Sequence, residues 1–339
     1  MDIGSSSVKM LEVRDTKDAL CLVSAGIAPL PSDAVQGNVV RDPKSVAQAL
    51  RTLMASQHVR TSEVITAVPG PAAIVKRATF PLQPANDLHE TILFEAGNYI
   101  PENLEDVNLD YHILDFIEEA NAVEVVLVAV RKEVMDSYIS AIRDAGLVPI
   151  LVDVDYFALE NMVEANYASS PEEIFVLLHI GARCSLISVL KRGCTVFTGD
   201  VPVGGALFTE TLSRELGLSH GEAEELKIFG SMETARQRQA EDALAPIFSQ
   251  LLDETERMLS FFWAGETTEQ LPTVYLSGGS ARLPGLVGLV SERLQAPVIL
   301  SDPFRALSMS RHVDERFVRD HASALAISMG LATRRPGDK

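Results

Sequence analysis

The apolar residues change spacing several times along this chain, and each change marks an element. Val8-Lys9-Met10-Leu11-Glu12-Val13 is short and β-compatible, and residues 19–25 can return beside it after the polar stretch 14–18. That predicts strand, turn, strand. Asp42-Pro43 opens a helix to about His58, with Val46, Leu50, Leu53 and Met54 recurring on one face. Glu63 to Val68 reads as a buried strand ended by Pro69-Gly70-Pro71.

From about Thr79 the pattern becomes a compact α+β unit. Asn86-Asp87 starts a helix through Tyr99, and residues 108–117 and 123–130 make a hairpin across a polar loop. A second helix, 132–145, is closed by Gly146. Residues 79–150 are therefore predicted to be an inserted subdomain. The strand 147–154 leads into a helix from 156 to 166, and Ser169-Ser170-Pro171 is the predicted crossing between domains. Residues 174–180 and 184–190 then repeat the opening arrangement of strand, glycine turn and strand. Three helices follow over 206–217, 219–229 and 235–264, the middle one opened by the capping box Ser219…Glu222. Trp263, at the end of the long helix, reads as a core residue.

The turns of this pattern carry the candidate chemistry. Asp2-Ile3-Gly4-Ser5-Ser6-Ser7-Val8-Lys9, Ile180-Gly181-Ala182-Arg183-Cys184-Ser185 and Leu276-Ser277-Gly278-Gly279-Ser280-Ala281-Arg282 are glycine turns at long spacing. Phosphate oxygens are cradled by backbone amides that no Cβ obstructs, together with a cation and an acidic group for a metal. The first turn joins two strands, so it is a phosphate-cradling hairpin and not a Walker loop, which needs a helix after its strand. Residue type alone leaves plainer readings open. Gly4 to Ser7 can be an ordinary turn, Gly204-Gly205 a helix entry, Lys227 a solvated charge, His179 a structural core histidine and Asp155 a helix cap.

Composition narrows the field. At 339 residues and 47% hydrophobic, the chain is predicted to hold more than one core. A net charge of −18, with its basic residues dispersed, argues against nucleic acid as a partner. The longest apolar run, 125–130, is far too short to span a bilayer, so direct membrane insertion is not expected. No signal peptide is visible ahead of the first motif. Cys21, Cys184 and Cys194 have no metal-ligand spacing, and free thiols of a reducing cytoplasm are expected, although the last two could face each other across a hairpin.

The two phosphate hairpins, Pro202-Val203-Gly204-Gly205, Ala223-Glu224-Glu225-Leu226-Lys227, the run 276–285 and the small-residue helix 322–332 together resemble the actin-like ATPase superfamily. Within it they are similar to the PilM family of type IV pilus assembly proteins and to its relative FtsA. The resemblance implies an α/β, actin-like (ribonuclease H-like) pair of duplicated ATPase domains with an FtsA-type 1C insert. Subdomain 1A would hold 1–78, part of 151–172 and the helix 322–339; 1C would be 79–150, 2A 173–204 with 265–321, and 2B 205–264. It implies ATP and Mg²⁺ in the cleft between the halves. Gly4, Ser5, Ser6, Ser7 and Lys9 would meet the β- and γ-phosphates, and Asp2 the metal through water. Gly181, Ala182, Arg183 and Ser185 would form the second phosphate turn, with Gly204 and Gly205 following it. Glu224 and Lys227 would face ribose and adenine, Gly278 and Gly279 would let the base lie against backbone, and Ser280 and Arg282 complete that turn. Asp155 would sit where an attacking water is oriented.

The family also implies a place. The protein would be a cytoplasmic scaffold recruited to the inner membrane by the cytoplasmic N-terminal tail of PilN, with pilus motor ATPases as further partners and self-association left open. A filament-forming, FtsA-like protein is one alternative, opposed by the short polar tail 333–339. An active ATPase or small-molecule kinase of the same superfamily is another. Two departures stand out. His179 occupies a position where the family has an aspartate, so ATP binding with weak or absent hydrolysis is expected. Only Met1 precedes Asp2, where relatives carry several apolar residues, so either the natural start lies upstream or the first strand is cut short.

Overall fold

The computed structural model describes residues 1–16, 20–167, 173–264 and 272–338. The predicted crossing at 169–171 lies outside them. The first half opens with strands β1 (Asp2–Ile3), β2 (Ser7–Asp15), β3 (Leu20–Pro29), β4 (Val35–Gln36) and β5 (Val39–Val40). Helix α1 (Pro43–Ser56) and strand β6 (Glu63–Val68) follow. Asp42 ends the extended chain ahead of α1 because its carboxylate accepts from the Ser45 amide at 3.1 Å and the Ser45 hydroxyl at 2.5 Å.

Next come β7 (Ala73–Pro81), α2 (Ala85–Glu95), β8 (Val107–Ile117), β9 (Ala122–Arg131), α3 (Lys132–Asp144), β10 (Val148–Val154) and α4 (Asp155–Asn166). Pro84, not Asn86, holds the cap position of α2, and no side chain caps it. The second half holds β11 (Ile174–Ile180), β12 (Ser185–Lys191) and β13 (Cys194–Val201), then α5 (Gly205–Leu216), α6 (His220–Phe229) and α7 (Thr234–Trp263). It continues with β14 (Thr273–Ser277), α8 (Leu286–Leu294), β15 (Val298–Leu300), β16 (Ser308–Met309), α9 (Glu315–His321) and α10 (Ala326–Thr333). The expected capping box on α6 is formed in both directions, and Trp263 is partly buried against Phe262.

The second sheet runs β13-β12-β11-β14-β15, antiparallel among the first three and parallel from β11 onward. The first half follows the same plan with its centre shortened. β3-β2-β1 is antiparallel, β6 and β10 pair in parallel, and the Met1 amino group donates to the Ile65 carbonyl at 2.7 Å, which brings β6 alongside β1. Helices α4 and α10 pack on each other between the two sheets. They touch so closely that a Cβ on Gly330 would run into the Ala158 carbonyl.

Packing redraws several predicted boundaries. Residues of β7, α2, β8 and β9 build a small core of their own around Phe80, Ile92, Val125 and Leu127. The helix α3, expected inside the insert at 79–150, instead buries Tyr138 and Ile142 in the first core, as does Leu147 just ahead of β10, and β7 begins before residue 79. Likewise β16 pairs with β3, and Phe304, Val318 and Leu325 join the first core, so the chain leaves the second sheet after β15 and not at residue 321. Strand β13 was not anticipated. It also decides the cysteines: Cys184 and Cys194 lie at opposite ends of β12, and all three thiols are free.

Candidate functional site

The two predicted turns face one cleft. Gly4 donates its amide to the Ser7 carbonyl at 3.1 Å, and Gly181 donates to the Cys184 carbonyl at 3.1 Å, so both chains reverse in the same way. Among the described residues the amides of Ser5, Ser6, Ala182 and Arg183 take no part in hydrogen bonds. Such a pair of backbone concavities suits an anion. A Cβ would meet Ser7 O and Lys9 Nζ at 3.3 Å on Gly4, a tight fit, and would strike Cys184 O at 2.8 Å on Gly181. Between the turns lies a cavity of about 130 Å³ lined by Asp2, Lys9, Asp155, His179, Tyr138 and the turn residues. A larger surface cavity of about 910 Å³, between β3, the end of α1 and residues 312–317, has neither turn in its walls.

The cleft holds an ion pair from the first half and a neutral imidazole from the second. Lys9 Nζ lies 2.9 Å from Asp2 Oδ2, and both are largely withdrawn from solvent. This follows from strand register, which puts Asp2 opposite Lys9 across the β1–β2 turn. His179 is buried, and its Nδ1 is 3.0 Å from Ser277 Oγ. Burial first, then the charge of Lys9, pushes its pKa down to about 4. It is therefore uncharged at neutral pH. Asp155 is the first residue of α4 and not its cap. Burial and then the neighbouring Asp2 hold its carboxyl well above the usual carboxylate range, against a hydrogen bond from the Gly70 amide.

The remaining predicted residues divide. Gly205 donates to the Gly181 carbonyl at 2.8 Å, and a Cβ there would strike Ser280 Oγ, so Gly204, Gly205 and Ser280 sit directly behind the second turn. Lys227 is buried and donates to Glu224 Oε2 at 2.7 Å and Thr209 Oγ1 at 3.0 Å, while Glu224 stays partly open. Ser185 is spent structurally, its hydroxyl donating to the Val203 carbonyl at 2.7 Å. Arg183 reaches across the cleft to the Ser32 carbonyl. Arg282 turns away from both turns and donates to the carbonyls of Arg319 and Asp320 at 2.8 and 3.0 Å. Gly278 has φ +99° and lies against the Ile180 backbone, whereas Gly279 faces open space.

These features fit the phosphate part of a nucleotide: two glycine turns with free amides, and one lysine. A protein-only metal site is absent among the described residues, so Mg²⁺ would depend on phosphate oxygens and on Asp2 through water. Sequence reasoning missed Tyr138 and Ser277. Tyr138 lies on the apolar face of α3 and looks like any core aromatic, while Ser277 could have been flagged as the residue before the Gly278 turn.

A family model, Type IV pilus assembly protein PilM, matches residues 1–336. The chain belongs to the PilM family of type IV pilus assembly proteins. Among solved structures it is similar to a PilM-PilN type IV pilus biogenesis complex, at 28% identity over 98% of this chain and 96% of that one, with a TM-score of 0.86. It shares its fold with the ethanolamine utilization protein EutJ from Carboxydothermus hydrogenoformans, at 15% identity, 98% and 87% coverage and a TM-score of 0.56. It also shares it with MreB 5 of Spiroplasma citri bound to AMPPNP, at 12%, 96% and 92%, and 0.53. The fold is therefore the actin-like one that the sequence implied. No helix among the described residues is long and apolar enough to cross a membrane.

Proposed function

We propose that this protein is a nucleotide-binding scaffold of the type IV pilus inner-membrane complex, which holds the cytoplasmic N-terminal tail of a PilN-type partner and is recruited to the membrane by it. The observation that carries this reading is the 28% identity over nearly the full length of both chains with a structure described as a PilM-PilN complex. Support for the nucleotide comes from this chain itself, from the two matched glycine turns and the Asp2–Lys9 pair between them.

ATP with Mg²⁺ is the proposed ligand. The metal would supply charge neutralisation at the phosphates, with Asp2 facing its hydration shell. Ser5, Ser6, Ala182, Arg183 and Lys9 would donate to phosphate oxygens, and Glu224 with Lys227 would face the sugar and base. Hydrolysis is proposed to be very slow. His179 offers the metal no carboxylate, and burial, which favours the protonated form of Asp155, weakens that carboxyl as a base. The unit built by residues 73–131, which has its own core, is the proposed partner-binding subdomain, separable from the cleft.

Calorimetric titration with ATP·Mg²⁺ and with a synthetic PilN tail peptide tests all of this, with phosphate release followed in the same samples. Binding of both, with release near background, is expected. Replacing residues 73–131 by a short linker should abolish peptide binding and spare ATP. Loss of ATP affinity with retained peptide binding would reverse the assignment, and rapid release by the unmodified protein would replace the scaffold with a working ATPase.

A further inference from the structure

Tyr138 is fully buried on α3, yet its hydroxyl has no hydrogen-bond partner among the described residues. Buried hydroxyls are nearly always bonded, so an orphaned one calls for an explanation. Most of the orphaned polar atoms of this chain lie away from the cleft, but Tyr138 lines the cavity that holds both glycine turns, Asp2, Lys9 and Asp155. Burial, followed by the negative charges of Asp155 and Asp2, pushes its pKa upward, so the phenol keeps its proton and is available as a donor.

Position decides what it can donate to. The residues proposed for sugar and base, Glu224 and Lys227, lie with Gly205 behind the second turn, on the side of α5 and α6. Tyr138 comes from the other half of the molecule, with Asp155 beside the first turn. A nucleotide whose base lies towards Lys227 would run its phosphates past both turns, and the last of them would end near Tyr138. The Asp2 carboxylate there repels an anion, so the end of the cleft needs neutral or positive donors. Lys9 is one and Tyr138 is another.

Resting on the nucleotide reading above, we propose that the Tyr138 hydroxyl is the donor by which this cleft distinguishes a nucleoside triphosphate from a diphosphate. The Phe variant removes that one atom and leaves the ring in the core.

The test is Tyr138→Phe in the full chain, with thermal unfolding and calorimetric affinities for ATP·Mg²⁺ and ADP·Mg²⁺. The free variant should melt at the same temperature as the unmodified protein or slightly above it, because the hydroxyl bonds to nothing there. Affinity for ATP should fall about tenfold, equivalent to about 1.4 kcal/mol, while that for ADP is unchanged. An unaltered ratio of the two affinities would overturn the role of Tyr138 and leave the nucleotide reading intact. A melting temperature lowered by several degrees without ligand would overturn it too, by revealing a structural bond. Failure of the unmodified protein to bind either nucleotide would overturn both.

Discussion

The two halves of this molecule reverse their chains with the same glycine hydrogen bond but equip the turns differently. In the first half, strand register sets Asp2 against Lys9, and a charged pair occupies the turn's mouth. In the second, the same register sets His179 against Leu186, and the imidazole bonds sideways to Ser277 of β14. The central strands differ as well: β1 has two residues and β11 has seven. The backbone device is present in both halves, while at the matching register position one half sets a charged pair and the other an uncharged imidazole.

The largest expected effect comes from the second half. Gly278 follows β14 at φ +99°, with a Cβ position 2.6 Å from both the carbonyl carbon and the nitrogen of Ile180. Gly278→Val would combine a forbidden backbone conformation with a clash against the strand that carries the second turn. A loss of about 3 kcal/mol or more is expected, seen as failure to fold or a large fall in the denaturation midpoint. A β-branched residue here thus tests the fold and not the fit of adenine. A variant as stable as its parent would contradict this account of the Gly278 turn.

Next is the charged pair. Lys9→Met copies the apolar character of Leu186 into the first half and leaves the buried Asp2 carboxylate alone. Breaking such a pair costs ~3–5 kcal/mol, whereas replacing both partners is close to neutral. The single variant should therefore be much less stable in urea than Asp2→Asn with Lys9→Met together. Equal midpoints would mean that the ion pair contributes nothing to the first turn.

How much of this was legible depends on which forces left a local signature. Turn chemistry did: the glycines, Asp42 before Pro43 and the Ser219…Glu222 box act within a few residues, and they placed the elements and both glycine hairpins. Packing did not. Nothing local in 132–154 says that α3 buries Tyr138, and the link to β10 buries Leu147, in the first core, and the amphipathic pattern of α3 would suit either neighbour. Side-chain direction was equally silent. Arg282 sits in a motif that reads as part of the site, but its guanidinium reaches the end of α9; Ser185 reads as a phosphate ligand but serves Val203.

A third prediction separates the halves by pH. His179 binds its proton less readily folded, at about 4, than unfolded, at about 6.5, so the unfolded chain takes up more protons between those values. Stability from this group falls as pH drops through that window, by at most about 3 kcal/mol. Glu160 of α4 acts oppositely. It accepts hydrogen bonds from the Thr195 amide and hydroxyl, but burial pushes it up to about 7, so its contribution improves as pH falls from about 7 to 4.5. Glu160 is partly exposed, so solvent screening reduces its share below the same ~3 kcal/mol ceiling. The two should largely cancel in the unmodified protein. Glu160→Gln, which can still accept from Thr195, should melt progressively lower between pH 7 and 5. His179→Asn should do the reverse, and superimposable profiles would remove both assignments.

The smallest effect probes the shared backbone itself. Neither Gly4 nor Gly181 lies at positive φ, so alanine can adopt both conformations, and its stiffer unfolded chain would favour folding by ~0.4–1 kcal/mol at either site. What differs is the neighbour. The Gly181 Cβ would lie 2.8 Å from the Cys184 carbonyl that closes the turn, a backbone atom that cannot move without breaking the bond it accepts. At Gly4 the nearest atoms are 3.3 Å away, and one of them is Lys9 Nζ, the far end of a flexible side chain. Gly4→Ala should therefore leave the urea midpoint unchanged or slightly raised. Gly181→Ala should lower it by ~1–2 kcal/mol, the usual range for an overpacked contact. The reverse order would mean that the first turn, with its charges, is the more tightly held.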